Sequence, residues 1–411
     1  MKKFIYIFKI IKLFVSTKKI FSTPNNKQII IFDNYNSRDQ VKKIFKKDKF
    51  AEILCPSENY DLEYIYVSFE ILIFSIAEIL KGNIKYFYYI ALIRIINPKV
   101  IITFSQKNFS FFRIAKKLEK KYKFLVIQNA HLSLFDLKRD DLEKIYVPEY
   151  YCLSQYYVDY FKSLKINIKK YTIIGSLHLS LFEENVKKNF FLINKRKETY
   201  ICVVAGNLPI FKDFNDNSHD IKTLYERTKR LWLLLDKFSR KHKIYFKLAS
   251  RYSRDFIHSP GKKNSFDNEE SLFKKIFKNN KYFEKIDRDK KNFSSYKLAL
   301  NSKLIIGFHS TLLLECLAKN KKILCLNELH SYENYTNIPI MHDDNISAIS
   351  NYSYEILEER ILTLYHLSLK KYSDLMFYKK KYMIFYDKKT PTKKLFLNKI
   401  NNILLESNNK I

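Results

Sequence analysis

The sequence predicts an α/β protein with two halves, each built on a parallel sheet, and three observations support this. Short, bounded apolar runs such as Val100–Phe104 and Lys123–Ile127 are typical of buried parallel strands. Helical segments separate these runs along the chain. The same alternation begins again at Tyr200–Val204, after a charged stretch with a weaker apolar pattern. Strands and helices that alternate in this way form sheets covered on both faces.

The composition bounds the class of protein. A chain of 411 residues can hold two or three domains, and a hydrophobic fraction of 46% argues against disorder. The formal charge of +33 would suit nucleic acid, an anionic membrane or phosphorylated substrates. A biased genome is the simpler explanation, because Lys, Ile and Asn are abundant while only 5 residues are Gly. The basic residues are spread over the chain without an RNA or DNA motif, so we expect no nucleic-acid partner.

The cysteines and the N-terminus bear on location. The five cysteines are scattered, odd in number and without a C-x-x-C pair, as expected of reduced core residues in a cytoplasmic protein. Lys9 and Lys12 interrupt the apolar run Met1–Val15, so we do not expect a signal peptide. That run fits either a basic amphipathic helix on a membrane or an ordinary packed element. We expect no spanning helix, because no stretch reaches the roughly 18 uncharged apolar residues required.

The first half, residues 1–185, is predicted to be a Rossmann-like domain. The expected strands are 27–33, 51–54, 100–104, 123–127, 145–148, 151–152 and 172–174, and the expected helices are 62–80, 84–96, 111–120 and 155–163. Polar residues follow several of these strands, where ligands bind in parallel sheets. They are Asp33, Ser105, Asn108, Gln128, Asn129 and His131.

A linker is expected at residues 186–198, and a second Rossmann-like domain at 199–390. Its expected strands are 200–204, 243–248, 303–306 and 323–326, and its expected helices are 223–242, 270–278, 311–319 and most of 354–386. Ser259–Asn268 contains Pro260 and Gly261 and is predicted to be a mobile surface loop. Residues 391–411 are predicted to form a terminal amphipathic helix.

The most informative stretch is the strand–turn–helix around Ser310. Ser310 stands at the N-cap position, and the free N–H groups of the first turn could accept a phosphate. Thr311 and Glu315 are four residues apart and share a helix face. Two plainer interpretations stay open: Ser310 as an ordinary cap, and Glu315 in a salt bridge or on a solvated face.

Two motifs resemble those of a known protein group. The stretch Gly307–Glu315, followed by Ala318, resembles the G-x-x-S-T-x-x-x-E-A element of bacterial surface-carbohydrate transferases. Val126–His131 is similar to their Q-N-G or Q-H-G strand end, with Ala130 where Gly is usual. The chain as a whole resembles surface carbohydrate or O-antigen biosynthesis proteins of the GT-B type, over roughly residues 28–327.

The resemblance implies two Rossmann-like domains facing a cleft, the first binding an acceptor and the second a nucleotide-sugar donor. It implies a metal-independent glycosyltransferase without a cofactor, building a lipopolysaccharide O-antigen or a capsule. The acceptor would be a lipid-linked glycan or a polysaccharide. The protein would be cytoplasmic, with peripheral contact at the inner face of the cytoplasmic membrane as an option.

The resemblance and the positions of polar residues assign candidate roles. The candidate donor-binding residues are Gly307, His309, Ser310, Thr311, Glu315, Lys247, Arg251 and Arg254. The candidate acceptor-binding residues are Gln128, Asn129, Ser105 and Asn108. The acceptor hydroxyl needs a base, for which His131 and Asp33 are the candidates. The alternatives are a hydrogen-bonded structural histidine and a turn or cap aspartate.

Three other interpretations apply to parts of this sequence. Asp287 and Asp289 could hold a metal ion, but in a Lys-rich connecting segment they are better interpreted as solvated charge, so no metal site is expected. A sugar-nucleotide 2-epimerase would carry glycines after the serine, whereas Thr311 and Leu312 follow Ser310. A non-catalytic basic protein that binds membrane or nucleic acid is the remaining alternative.

Overall fold

The computed structural model describes residues 15, 17–33, 37–55, 62–106, 108–131, 144–188, 199–205, 219–251, 260–289, 293–308, 310–327, 344, 346–350 and 353–406. These residues divide into two compact units. The first unit holds the described residues up to Asn129, those from 144 to Leu181, and those from Phe385 onward. The second unit holds Ala130, His131 and the described residues from Phe182 to Ile384.

The strands of the first unit are β1 (Lys18–Ile20), β2 (Ile29–Phe32), β3 (Phe50–Ile53), β4 (Tyr64–Tyr66), β5 (Val100–Thr103), β6 (Lys123–Ile127), β7 (Tyr146–Cys152) and β8 (Asn167–Ile173). Its helices are α1 (Arg38–Ile44), α2 (Phe69–Leu80), α3 (Phe87–Ile96), α4 (Phe109–Leu118), α5 (Gln155–Ser163), the start of α6 (Leu177–Lys188) and, far along the chain, α14 (Thr392–Glu406).

The strands of the second unit are β9 (Ile201–Val204), β10 (Phe246–Ala249), β11 (Phe283–Ile286), β12 (Leu304–Gly307), β13 (Ile323–Leu326) and β14 (Ala348–Ile349). Its helices are α7 (His219–His242), α8 (Pro260–Phe277), α9 (Ser294–Asn301), α10 (Thr311–Ala318), α11 (Tyr354–His366), α12 (Leu369–Leu375) and α13 (Phe377–Met383).

Each unit is built on a six-stranded parallel sheet. The order is β3-β2-β5-β6-β7-β8 in the first unit and β11-β10-β9-β12-β13-β14 in the second. Every residue of β2, β5, β9, β12 and β13 is buried, which explains why these strands are continuous apolar runs. The predicted α/β class with two Rossmann-like domains is confirmed.

The last part of the chain packs on the first unit. The Phe385 N–H donates to the carbonyl of Leu153, and the Phe396 ring packs edge-on against Tyr151 and Phe45. Gly175 has φ +82, and a Cβ on it would lie 2.3 Å from the Phe385 carbonyl oxygen. Only glycine therefore fits where this segment crosses the end of β8.

Several predicted elements need correction. Leu62–Leu80 is not one helix, because Tyr64–Tyr66 pairs in parallel with β1 and Ser68 then caps α2 through a hydrogen bond from the Ile71 N–H. The stretch predicted as a loop at Ser259–Asn268 lies largely in α8, which begins at Pro260, a residue favoured at the first helical position.

Other boundaries also differ. The two short strands predicted at 145–148 and 151–152 form the single strand β7. Helix α6 reaches Lys188, so it occupies the start of the predicted linker, and residues 189–198 lie outside the described residues. The terminal helix is confirmed as α14.

The cysteines and the hydrophobic helices bear on two of the sequence predictions. All five cysteines lie in described positions and each is a buried free thiol. The described parts of the chain contain no helix that is long and apolar enough to cross a bilayer.

Candidate functional site

In the second sheet, the direction of strand succession reverses beside β9. Strands β10 and β11 follow on one side of β9, and β12, β13 and β14 on the other. Ligands of open parallel sheets bind at the carboxyl edge beside such a reversal. Strands β9 and β12 pair there, with Gly307 opposite Val204. The sheet topology therefore singles out the turn that leads from β12 into α10.

Gly307 leaves little room for a side chain beside Val204 of β9. A Cβ at this position would lie 3.1 Å from the Val204 Cβ and 3.5 Å from the Leu313 Cδ1. The approach to Val204 is tighter than side chains normally make, whereas the approach to Leu313 is an ordinary contact, so a larger residue would crowd β9. The predicted role of Gly307 in donor binding stays a prediction.

Ser310 precedes α10 in an extended conformation but does not cap the helix with its side chain. Its own N–H donates to the Phe308 carbonyl oxygen at 2.8 Å, and its carbonyl accepts from the Leu313 N–H at 3.0 Å. The hydroxyl is half-buried. Ordinary side-chain capping, one of the two interpretations of Ser310, is therefore not what the structure shows. The partial positive charge of the helix N-terminus is not screened by a serine cap.

His131 lies at the same helix terminus. Its backbone N–H donates to Thr311 Oγ1 at 2.7 Å, and the residue is buried. Both residues belong to the second unit. The sequence predicts His131 on the first half, whereas the structure groups it with the second unit, to which the bond to Thr311 joins it. His309 lies outside the described residues.

Glu315 is a buried carboxylate, one turn into α10. Its Oε2 accepts a hydrogen bond from the Tyr296 hydroxyl at 2.6 Å, and the Tyr296 ring stacks on Phe182 with centroids 5.0 Å apart. Burial, and next the charge of Glu315, raise the pKa of Tyr296 well above its ordinary value. The solvated-face interpretation of Glu315 is therefore wrong. Its role toward a ribose stays a prediction.

The cations predicted to bind phosphate lie at different positions along β10, one within the strand and one after its carboxyl end. Lys247 is the second residue of β10, with its ammonium 4.6 Å from the centre of the Tyr200 ring and 3.9 Å from Glu284. It lies before the carboxyl end of its strand. Arg251 follows β10 at that end and is exposed, and its carbonyl accepts from Arg288 Nη1 at 2.9 Å. Arg254 lies outside the described residues.

Two residues at this edge, Glu269 and Arg288, were missed by sequence reasoning. The Glu269 carboxylate is fully buried and accepts hydrogen bonds from the Ser250 hydroxyl and, at 3.3 Å, from the Arg251 N–H. Burial raises the pKa of Glu269, and these bonds oppose part of the rise. In the sequence Glu269 stands beside Glu270 in a charged run, so no local signal distinguishes it from surface charge.

The Asp287–Asp289 pair needs a correction of position. Asp287 directly follows β11 and is therefore at a strand end, not in a connecting segment. Its carboxylate accepts from Lys285 Nζ at 2.8 Å, and the Asp289 N–H donates to Ser294 Oγ at 2.7 Å. Within the described residues no three His, Cys, Asp or Glu side chains cluster as metal ligands would.

A second polar cluster occupies the corresponding edge of the first sheet. There the strand order reverses between β2 and β5, at Asp33 and Ser105. Asp33 is buried in a left-handed conformation with φ 53°, and its Oδ2 accepts from Asn108 Nδ2 at 2.6 Å. Burial raises the pKa of Asp33, and hydrogen bonds from Asn108 and Ser105 oppose part of the rise. Asn108 also caps α4 by accepting from the Phe111 N–H at 2.8 Å.

The structure gives Gln128 and Asn129 different surroundings. Gln128 is buried and its Oε1 accepts from the Leu153 N–H at 2.9 Å, so it ties β6 to the end of β7. Asn129 Nδ2 donates to Ser37 Oγ at 2.8 Å, while its Oδ1 is buried without a hydrogen-bond partner. A buried oxygen without a partner is uncommon, and the acceptor-binding roles of both residues stay predictions.

Comparisons with known proteins identify the fold. Neither a protein-family model nor a curated protein sequence matches the chain. Among solved structures, a putative UDP-N-acetylglucosamine 2-epimerase from Listeria monocytogenes matches with a TM-score of 0.55 at 10% identity, covering 93% of this chain and 97% of that one. S. aureus MnaA with UDP matches with a TM-score of 0.52 at 10% identity, covering 92% and 97%. Sucrose-phosphate synthase from Thermosynechococcus elongatus matches with a TM-score of 0.50 at 10% identity, covering 93% and 100%.

These likenesses extend over nearly all of each protein, while the sequences have diverged too far to share more than architecture. Together with the two parallel sheets described above, they show that this chain has a GT-B-type fold of two Rossmann-like units.

Proposed function

We propose that the protein is a metal-independent glycosyltransferase that takes its sugar from a nucleotide-sugar bound at the start of α10. The observation that carries this proposal is the helix N-terminus at Ser310, which has no side-chain cap and lies beside the strand reversal of the second sheet. Backbone N–H groups at such a terminus bind phosphate oxygens. The Ser310 hydroxyl has no helix-capping role to lose and is available as a further donor.

The leaving nucleotide gains negative charge as the glycosidic bond to its phosphate breaks. In the proposed site the dipole of α10 and the guanidinium groups of Arg251 and Arg288 stabilise that charge. Thr311 holds the His131 backbone against the helix terminus. Glu315 and Tyr296 form a rigid hydrogen-bonded pair one turn deeper, where the ribose hydroxyls would be recognised.

We propose Asp33 as the base that accepts the proton of the acceptor hydroxyl. Its raised pKa makes the carboxylate a better proton acceptor than an ordinary aspartate, and Asn108 fixes its orientation. Asn108 and Ser105 already hydrogen-bond to Asp33, so they act as positioning residues here. Asn129 is the better candidate to contact the acceptor. The motif resemblance points to a surface glycan, an O-antigen or a capsule, as the acceptor.

A sugar-nucleotide 2-epimerase is the second candidate function. It is favoured by the likeness to S. aureus MnaA and to the Listeria monocytogenes protein. The two functions differ in their requirements, because an epimerase converts a nucleotide-sugar without an acceptor, whereas a transferase releases the nucleotide only when an acceptor is present. NMR of UDP-N-acetylglucosamine incubated with the protein alone distinguishes them, since appearance of the C2 epimer would replace the transferase proposal.

The donor site is tested by thermal shift with UDP-, GDP-, CMP- and CDP-sugars. A ligand at 100 times its Kd stabilises the folded state by about 2.7 kcal/mol. We expect Ser310→Ala to keep the melting temperature of the unliganded protein, because no capping bond is lost, and to reduce the nucleotide-induced shift, because one phosphate donor is removed.

Ser353→Ala is the matched control. The Ser353 hydroxyl caps α11 in the same unit by accepting from the Ile356 N–H at 3.3 Å. Its removal should cost about 1 kcal/mol of stability and leave the nucleotide-induced shift unchanged. Absence of a shift with every nucleotide in the wild-type protein would refute the donor site.

A further inference from the structure

Helix α2 of the first unit buries one charged residue and exposes most of its large apolar side chains. The side that packs inward carries Ile71, Ser75 and Glu78, all buried. The buried Glu78 carboxylate is held by Arg94 at 3.1 Å and Lys81 at 3.5 Å. A surface helix normally buries its apolar stripe and exposes its charges. The opposite arrangement here shows that the apolar stripe faces outward.

The outward stripe, termed the α2 apolar face, consists of Phe69, Leu72, Ile73, Ile76 and Leu80. These side chains are 78%, 56%, 50%, 49% and 82% exposed. Their spacing of three and four residues places them in one row along the helix.

Exposed apolar side chains also lie near both ends of the helix. Ile84 is 54% exposed just after it, and Phe21 is 80% exposed just after β1. The Ile20 carbonyl accepts from the Val67 N–H, and Thr23 bonds Ser68, which places Phe21 near the start of α2. A group of exposed apolar side chains of this size marks an interaction surface.

A basic cup adjoins the C-terminal end of α2. It is a concavity of about 230 Å³ lined by Gly82, Asn83, Lys85, Tyr86, Arg113, Lys116 and Lys117. No acidic side chain from the described residues lines it. Arg113 Nη1 donates to the Tyr86 hydroxyl at 2.8 Å, and Lys117 donates to Asn83, so the rim is held in shape.

We infer that the α2 apolar face and the basic cup together form a docking surface for an anionic lipid bilayer. The apolar row would enter the boundary between headgroups and acyl chains, and the lysines and Arg113 would meet lipid phosphates. Twelve residues make a helix of about 18 Å, shorter than the roughly 30 Å of hydrocarbon, so α2 lies on the membrane and does not cross it.

Charge favours a bilayer over a second copy of the chain as the occupant. The surface carries the exposed Lys81, Lys85, Lys116 and Lys117, against Glu70 as the exposed acid on the helix, so a second copy would bring an equal excess of positive charge to it. An anionic surface instead neutralises these charges, and the formal charge of +33 adds long-range attraction. The inference does not depend on the proposed glycosyl transfer.

Vesicle co-flotation of the full chain tests the surface. We expect binding to phosphatidylcholine vesicles that contain phosphatidylglycerol, little binding to phosphatidylcholine alone, and weaker binding at about 0.5 M than at about 0.1 M NaCl. Leu72→Gln with Ile76→Gln should lower the partition coefficient at least about tenfold, because both side chains leave the apolar phase. Lys116→Gln with Lys117→Gln should lower it about fivefold per charge.

The matched control is Leu233→Gln with Ile356→Gln, two apolar residues of the second unit that are 49% and 45% exposed. This variant should bind vesicles as the wild-type protein does. The inference is overturned if the protein ignores anionic vesicles or if the Leu72 and Ile76 variant binds them unchanged. It is also overturned if light scattering finds a dimer that this variant converts to a monomer, because the face would then join two copies.

Discussion

At the scale of single residues, Asp33 combines burial, a left-handed backbone and a raised pKa. Because the folded-state pKa of Asp33 lies above its ordinary value of 3.8, folding takes up a proton between these two pH values. The contribution of Asp33 to the free energy of unfolding is therefore most favourable below the pKa that Asp33 has in the unfolded chain. It falls as the pH rises through the pKa that Asp33 has in the folded protein. Above that point the buried charge carries its full penalty.

We predict that Asp33→Asn raises the melting temperature at pH 7 and abolishes glycosyl transfer. Asparagine removes the buried charge, can still accept from Asn108, and tolerates the left-handed conformation well. The gain should vanish as the pH falls below about 4, when aspartate is neutral as well. Melting curves from pH 3 to pH 8 measure this, with the exposed Asp48→Asn as the control. A variant that is less stable than wild type at pH 7 would contradict the argument.

The pair of Tyr296 and Glu315 gives a second prediction at this scale. Tyr296→Phe removes the 2.6 Å hydrogen bond to a buried carboxylate, so the second unit should lose about 1–3 kcal/mol of stability. Tyr378→Phe changes a side chain that is 83% exposed and should stay within about 0.5 kcal/mol of wild type. Urea unfolding compares the two variants, and equal midpoints would mean that the bond contributes nothing.

At the scale of elements, glycines determine how closely segments approach one another. Gly175 and Gly82 have nearly equal positive φ values of 82° and 81°, but a Cβ at Gly175 would lie 2.3 Å from the Phe385 carbonyl while one at Gly82 would meet nothing within 4 Å. We predict that Gly82→Ala costs about 1 kcal/mol through backbone strain alone and that Gly175→Ala costs several times more. Thermal melts of both variants decide this, and similar losses would exclude the steric explanation.

Local patterns predicted elements well where the signal lies within one stretch of chain. The strand expected at Lys303–Ile306 and the helix expected at Thr311–Lys319 correspond to β12 and α10. Prediction of secondary structure failed where contact with a segment far away in the sequence determines the conformation. The local pattern at Tyr64–Tyr66 predicts a helix, but pairing with β1 makes this segment a strand. Pro260 and Gly261 predict a loop, but both residues lie in α8. Propensity is a weak guide where tertiary pairing overrides it.

The candidate site shows the same division. Ser310, Thr311 and Glu315 could be found from one motif, and Asp33 and Asn108 from polar residues that follow strands. Their partners could not be found in this way. Tyr296 is on another helix, and Glu269 meets Ser250 only through folding of the second unit. A single sequence gives no spatial signal for such contacts.

At the scale of the whole molecule, the first unit is discontinuous in sequence. Phe396 of α14 is fully buried there, against Phe45 and Tyr151. We predict that Phe396→Ala destabilises the first unit by about 3–5 kcal/mol and leaves the second unit unchanged. Hydrogen exchange resolved by peptides would show faster exchange in β2, β5 and β7 but not in β9 or β12.

Phe277→Ala serves as the converse control, because Phe277 is buried in the second unit, with its ring centre 3.8 Å from that of Phe283. It should speed exchange in β10 and β11 only. If Phe396→Ala accelerated exchange equally in both units, the terminal segment would not stabilise the first unit specifically.

The return of the chain at Phe385 also sets the order in which the protein can mature during synthesis. The ribosome releases the described strands and helices of the second unit before α14 has been made. Strands β2 to β8 of the first unit emerge earlier and are not covered by Phe396 until α14 follows. Domains ordinarily fold in the order in which they are made. Here the half that is made first is completed last, and its exposed apolar surface is the part of the nascent chain that a chaperone would have to shield.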